Sequence, residues 1–353
     1  MVDPVVVCLS RSGEETAWRV AEILGAAVHG RMERVERAHA YFTNALDHVR
    51  MLFASGTPVV GVCAAGILVR AVAPVLNDKT TEPPVVAVPD DGSTVIPLLG
   101  GHRGANRLAR VIAEGLGAHA AVTTAGDVAM GVALDEPPTG WRLVNPENAK
   151  SVMARMLSSG GASVCGDYAG AADWLQDVPA SDQAWIICGE EPAESYDDNT
   201  LQITPVRVAL GVGCARNCPP EELETLVRGV LKDADIVPEA VHSVNSIDLK
   251  ADEPAIIELA KSLGVPFRVF SAAELEAQAG RLANPSDVVF AEAGWHGVAE
   301  GAALACAGPR AELTLPKVKR PTCTMALARS AAVLTDLPGR SRGRLSVVGI
   351  GPG

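Results

Sequence analysis

Aromatic side chains are scarce: the 353 residues include 5 Trp, 3 Tyr and 5 Phe, 4% in all. A platform that stacks the bases of single-stranded nucleic acid needs more of them. Positive charge is also short, with 30 Lys and Arg against 42 Asp and Glu and a net charge of -12. That balance argues against phosphate backbones and anionic membranes as partners. No apolar run approaches the ~20 residues of a membrane span. Residues Met1 to Ser10 carry neither a basic lead nor a cleavage site. We therefore expect a cytoplasmic protein with no nucleic-acid and no membrane partner. A nucleophile elbow between strand and helix is not found, nor is a Cys/His nucleophile arrangement, which leaves general acid–base activation of water for any hydrolytic chemistry.

What the chain does have is Ala, Gly and Val, with 48% hydrophobic residues. This length should form two or three domains, since single cores stop growing near ~250–300 residues. Eight cysteines are scattered, mostly inside apolar runs such as Trp185-Ile186-Ile187-Cys188. They read as reduced structural thiols rather than a disulfide framework. Cys214 and Cys218 form a C-x3-C pair, but no second half stands at zinc-site spacing, so no protein-bound metal is expected.

The richest stretch runs from Gly61 to Ala109. Two β-branched runs, Pro58 to Val62 and Val85 to Val88, have strand length and Gly/Pro boundaries. The charged pieces between them are expected on loops. A short strand, Thr94 to Leu99, leads into Gly100-Gly101-His102-Arg103-Gly104-Ala105-Asn106 and then a helix to Gly115. A glycine turn feeding a helix N-terminus presents backbone N–H groups to an anion. It is also the form of an ordinary βα turn. Arg70, Lys79, His102 and Arg103 each follow a strand, which predicts all four at the carboxyl edge of a parallel sheet.

Along the rest of the chain, Val5 to Leu9 reads as a strand and Ser10 or Ser12 as the cap of the helix ending near Gly25. A helix over 44–54 follows, and Ala120 to Thr124 is a further strand. DEPPTG at 135–140 is a turn-rich break. Beyond it come a helix from Pro146, strands near 163–165, 184–188 and 201–203, and a strand ending Gly211-Val212-Gly213-Cys214 before a helix over 219–232. Gly-x-Gly after a strand is a weak dinucleotide hint, with its third glycine missing. Further strands are expected over 241–247 and 265–271, and a helix over 252–264. The fold class is α/β, with doubly wound parallel-sheet domains at both ends (1–140 and 205–335) around a small α/β middle module (141–204).

Gly66-Ile67-Leu68-Val69-Arg70 through Lys79, Pro84 through Gly92, and Leu98-Leu99-Gly100-Gly101-His102 closely resemble the amino-terminal half of the cobalt-precorrin-5A hydrolase family of cobalamin biosynthesis. Residues 206–216, 265–271, Glu292-Ala293-Gly294-Trp295-His296-Gly297, Leu315 to Lys319 and Thr324 to Arg329 resemble its carboxyl-terminal part. Three departures stand out, one being that Ala215, Asn217 and Cys218 replace part of the family's Gly-x-Gly-Cys-Arg-Arg-Gly while Arg216 remains. This chain has one glycine fewer after His102 than the family's Gly-His-x-Gly-Gly-Ala-Asn, and Trp295-His296 where the family usually has Thr-Pro.

The resemblance implies opening of the lactone of a cobalt-corrinoid and release of acetaldehyde. It places His102 and Glu292 as catalytic candidates, His296 being a further base or an ordinary packed ring. Arg70, Lys79, Gly101, Arg103, Asn106, Lys317 and Lys319 would bind the substrate's acetates and propionates. No cofactor is implied for this region, and the partners would be the corrinoid or precorrin intermediate and other cobalamin-pathway enzymes. The tail, Arg344 to Gly353, resembles the first strand and Gly-x-Gly-Pro-Gly turn of tetrapyrrole methyltransferases. Residues 336–353 are thus expected to be a poorly packed linker and the start of a fused precorrin-3B methyltransferase, whose cofactor would be S-adenosylmethionine. The alternative function is a non-catalytic corrinoid-handover module serving that enzyme.

Overall fold

The structure is a computed structural model that describes residues 3–78, 81–124, 130–285, 290 and 296–342. The chain divides into two compact units, one up to Glu136 and one from Pro137 onward.

In the first unit the three Val-rich runs form the middle of a sheet: β1 (Val5–Cys8), β4 (Val59–Val62) and β5 (Val85–Val88). The last two are buried throughout, as β-branched strands are when helices cover both faces. With β2 (Ala27–Arg31), β3 (Ala40–Phe42), β6 (Thr94–Leu99) and β7 (His119–Ala120), the sheet order is β3-β2-β1-β4-β5-β6-β7. Helices α1 (Glu14–Leu24) and α4 (Ala105–Leu116) share one core with Val6, Val60 and Val86. Helices α2 (Ala45–Ala54) and α3 (Ala65–Val72) share the opposite one with Val7, Val59 and Val85. This is the doubly wound arrangement expected.

Four details differ from the sequence expectation. Strands β2 and β3 were not anticipated, because AVHGR and AYF lack the β-branched run that marks their neighbours. The segment after β4 is helix α3 rather than a loop, so Arg70 stands in a last helical turn. Strand β6 runs antiparallel to β5, pairing Leu99 with Val85. Ser10 does not cap α1 directly; its Oγ accepts from the N–H of Gly13, the cap residue (3.2 Å).

The second unit has two sheets. The smaller, in order β8-β11-β10-β9, comprises β8 (Trp141–Leu143), β9 (Ser163–Cys165), β10 (Trp185–Cys188) and β11 (Thr200–Pro205), with α5 (Ala149–Ser159) between β8 and β9. The larger has the parallel centre β12 (Val208–Cys214), β13 (Val241–Ile247) and β14 (Phe267–Phe270). Antiparallel strands β15 (Glu312–Lys319) and β16 (Cys323–Arg329) extend it beside β12. Helices α6 (Pro220–Asp233) and α7 (Pro254–Ser262) cover one face. Helices α8 (Ala272–Glu276) and α9 (Val298–Ala307) cover the other.

Two anchors tie these sheets together. Arg142 donates to the carbonyls of Glu239 (3.3 Å) and Val241 (2.7 Å), and buried Glu190 meets Arg329 at 2.9 Å.

Gly211 decides how α9 sits. A Cβ there would lie 1.9 Å from the Ala299 carbonyl oxygen and 2.7 Å from the Ala303 nitrogen. The helix, VAEGAALACA, is buried almost all round and brings its backbone directly onto β12. Close packing, not dinucleotide binding, thus accounts for the glycine of the Gly-x-Gly pair nearer the sheet centre.

The tail corrects another expectation. Residues Arg340–Ser341 form β17, antiparallel to β14. Arg268 donates to the Leu337 (2.9 Å) and Pro338 (3.0 Å) carbonyls, and Arg340 pairs with Glu274 at 2.9 Å. The segment after Asp336 is therefore docked as far as Ser341. The methyltransferase-like strand and turn lie outside the described residues.

Gly211→Ala should lower unfolding stability by about 1–3 kcal/mol or more, because the helix backbone must move to admit one methyl group. Gly229→Ala is the control: it lies inside α6 with open space at its Cβ, so it should be neutral or stabilising. Urea unfolding curves of the two variants distinguish them, and equal midpoints would contradict the close-approach account.

Candidate functional site

The glycine turn of the first unit is built as a hinge of left-handed residues. Gly100 (φ 72°) and Gly104 (φ 106°) flank a single 3-10 turn, Gly101–Arg103, in a backbone region that L side chains rarely enter. The Gly100 carbonyl accepts from the N–H groups of Arg103 (2.9 Å) and Ala105 (3.0 Å). Asn106 is buried at 4% exposure, and its Nδ2 donates to Thr124 Oγ1 at 2.9 Å, tying the first turn of α4 to the segment after β7. The same side chain lies under Gly101, where an added Cβ would meet it at 3.4 Å. Arg103 is exposed, and Arg107 faces Glu136 at 3.9 Å.

This turn sits at the edge opposite to the one expected. Because β6 is antiparallel, Leu99 ends beside Val85, the first residue of β5, and an added Cβ on Gly100 would lie 3.0 Å from the Pro84 Cα. The chain leaving α3 must likewise return to that amino edge before entering parallel β5. Arg70 lies within α3, with its guanidinium folded back onto the Gly66 carbonyl at 3.0 Å, in the turn that follows β4. The expectation that Arg70, Lys79, His102 and Arg103 line the carboxyl edge is corrected for Arg103. Lys79 and the His102 side chain lie outside the described residues.

The carboxyl edge, where strand order reverses between β1 and β4, holds residues that the sequence did not flag. Asp90 accepts from Ser10 Oγ (2.9 Å) and Ser12 Oγ (2.5 Å), and its carbonyl accepts from Thr16 Oγ1 (2.6 Å). Nearby, burial pushes the Cys63 thiol up to about 12, so it supplies no thiolate near neutral pH. These groups stand 74 to 80 positions apart in the chain, and only strand order unites them.

In the second unit a pocket of about 410 Å³ opens at the carboxyl end of β12. Its walls are Gly213 to Ala215, His296 to Ala299 at the start of α9, Lys317 and Lys319 on β15, and Arg320 to Thr324. Lys317 and Lys319, expected as substrate cations, are thus brought together with Arg320. The pocket's thiols are inert: burial first, then neighbouring acids, push Cys214 up to about 12, and burial pushes Cys323 to about 12. His296 carries the remaining titratable ring, with Nδ1 2.9 Å from Glu276 Oε1 and a stacked contact to Phe290. Glu292 lies outside the described residues.

Beneath the wall, Glu300 fixes the strand that bears the cations. It is 2% exposed and accepts from the N–H groups of Ala283 (2.8 Å), Asn284 (3.0 Å) and Lys317 (2.8 Å), and from Asn284 Nδ2 (2.8 Å). Burial alone would raise its carboxyl, but these four donors outweigh it and hold the group below the ordinary glutamate range. No metal-holding cluster of His, Cys, Asp and Glu occurs among the described residues. The letters Gly339-Arg340-Ser341-Arg342-Gly343 match a nucleophile elbow, but Ser341 lies in edge strand β17 and not between strand and helix.

This chain is 30% identical to the cobalt-precorrin-5A hydrolase of Priestia megaterium, over 92% of its own length and 94% of that protein's. The chain belongs to the cobalt-precorrin-5A hydrolase family. Within that family it is also similar to the Salmonella typhimurium cobalt-precorrin-5A hydrolase, at 31% identity over 76% of this chain and 82% of the other. The Sinorhizobium protein CobE is 47% identical over 36% of this chain and 84% of its own. Family models described as cobalamin synthesis G N-terminal and C-terminus match residues 47–127 and 208–328. The glycine turn lies in the first span and the walls of the pocket in the second. No helix among the described residues is long and apolar enough to cross a membrane.

Glu300→Gln should cost about 1–3 kcal/mol, since an amide presents N–H groups to a cage of donors. The contribution of a carboxyl held low is complete above the ordinary glutamate pKa near ~4.3 and is lost as pH falls through the folded value. Urea unfolding of the parent should therefore weaken on acidification more than that of the variant. Parallel pH profiles would contradict the cage.

Proposed function

We propose that this chain hydrolyses the lactone of cobalt-precorrin-5A, giving cobalt-precorrin-5B and acetaldehyde, in cobalamin biosynthesis. The observation that carries the reading is the likeness to a curated cobalt-precorrin-5A hydrolase across 94% of that protein's length. The geometry supports it in kind. A protein of net charge -12 must gather cations locally to bind a macrocycle bearing many acetates and propionates, and Lys317, Lys319 and Arg320 meet at one pocket.

Water is the co-reactant, and the cobalt belongs to the substrate. Water attacks the acyl carbon of the lactone, and carbon–carbon cleavage then releases the two-carbon aldehyde. His102 and Glu292 enter this reading as proposed proton-transfer groups, Arg70, Lys79 and Arg103 as proposed carboxylate partners, and Gly101 and Asn106 as the frame of the glycine turn.

Incubating the purified protein with cobalt-precorrin-5A should release acetaldehyde, measured by coupled reduction with alcohol dehydrogenase. Tight corrinoid binding with no aldehyde would defeat the hydrolase reading and favour a handover module. Lys317→Ala and Lys319→Ala should each raise KM by about 2–5-fold, the size expected for exposed ion pairs, with kcat little changed. Their KM should also rise less steeply with salt than that of the parent. An unchanged KM in both would remove the pocket from substrate binding.

A further inference from the structure

The two lysines of the pocket reach it through an irregularity in the strand that carries them. Leu315 of β15 pairs with Leu327 of β16, and Val318 with Met325, so that Pro316 and Lys317 together oppose the single residue Ala326. One extra residue on one strand of an antiparallel pair is a β-bulge. Its effect shows in the core. Leu315 and Val318 both pack on the α6–α7 side, although an unbroken strand would turn residues three positions apart to opposite faces. Ala326 pairs across β12 with Gly211, whose missing Cβ faces α9. Lys317 and Lys319 thus belong to the α9 face and stand in the wall of the pocket. In a regular strand continued from Leu315, positions 317 and 319 would instead share its side and enter the apolar core, where an unpartnered ammonium is costly.

Two features hold the bulge. Pro316 has no N–H to give to a ladder, and bulges are among the few places in a sheet where proline is found. The N–H of Lys317 is accepted by Glu300 Oε1 at 2.8 Å, and Glu300 is 2% exposed. The same carboxylate accepts from the Asn284 N–H (3.0 Å) and Nδ2 (2.8 Å), and the Asn284 carbonyl in turn accepts from Lys317 Nζ at 3.4 Å. One buried acid therefore fixes the backbone of Lys317 and, through Asn284, the direction of its ammonium. That group has three protons, so a single carbonyl contact leaves it able to bind a carboxylate.

We propose that Glu300 is a positioning residue for substrate binding: by locking the β15 bulge it turns Lys317 and Lys319 out of the apolar core and toward two carboxylates of one ligand. The identity of that ligand rests on the hydrolase reading above. Two strand positions separate the lysines by ~6.6 Å along β15, a spacing that suits two acid side chains of a macrocycle better than a lone carboxylate.

The test titrates cobalt-precorrin-5A into the parent and its variants, following the change in its visible absorption, with acetaldehyde release measured alongside. Charge and position predict opposite signs. By charge alone a carboxylate near the cations opposes anion binding, so Glu300→Gln would tighten it. If Glu300 supplies position, Glu300→Gln raises Kd by about 2–5-fold, the size expected for an exposed ion pair, with kcat little changed. Combined with Lys317→Ala, it should bind no more weakly than the weaker of the two single variants. A parent-like or tighter Kd in Glu300→Gln, or fold-changes that multiply in the double variant, overturns the proposal, and aldehyde release by the parent then leaves the hydrolase reading standing. A parent that binds but releases no aldehyde overturns the hydrolase reading, and the same Kd comparison still decides the role of Glu300. A parent that does not bind overturns both. Should Glu300→Gln melt below the assay temperature, Glu300→Asp decides alone: it keeps the charge but is one methylene too short for the Lys317 amide, and a parent-like Kd there overturns the proposal.

Discussion

The carboxyl-terminal unit depends on one close approach, that of α9 to β12 across Gly211. Where an ordinary side chain would stand, the Ala299 carbonyl and the Ala303 amide occupy the space. A helix seated this deep needs small residues on every side, and VAEGAALACA supplies them. Its depth in turn sets the level at which Gly297 and Val298 emerge beside Gly213 and Cys214, and so the floor of the cationic pocket. Glu300, on the first turn of the same helix, reaches the Lys317 amide. One packing contact thereby aligns a strand edge, a helix start and the strand that carries the lysines.

The cysteines of this pocket illustrate how burial selects chemistry. Cys214 and Cys323 are direct partners across β12 and β16, and both thiols are held protonated by the surrounding apolar core. Proximity to a ligand pocket therefore does not make them nucleophiles. The imidazole of His296, in the wall of the same pocket, is held instead by the Glu276 carboxylate at 2.9 Å.

In the amino-terminal unit, both edges of the sheet carry chemistry-bearing residues, and strand direction divides them. Ser10, Ser12 and Asp90 meet at the carboxyl edge, whereas the glycine turn belongs to the amino edge. The difference follows from one reversed strand. Had β6 run parallel to β5, the turn after Leu99 would have joined the other group.

Local chemistry made much of this legible. The Val runs of β1, β4, β5 and β12 announced buried parallel strands, Asn44 and Pro219 marked helix starts, and the helix after Gly104 was evident from its glycine turn. The family resemblance, and with it Lys317 and Lys319, was also carried by contiguous motifs. Helix α3 was hidden because its eight residues, AGILVRAV, include a single polar position, too few to display a helical period. Partners such as Asp90 with Ser12, Glu276 with His296, and Glu300 with Lys317 left no mark, since a hydrogen bond across 17 or more positions imposes no spacing on the chain. Sequence alone determined most of the strands, helices and turns, because propensity, burial pattern and capping act over a few residues. Only the tertiary structure decided which edge each turn faces and which side chains share a pocket, because strand direction and helix depth are settled by packing against elements distant in the chain.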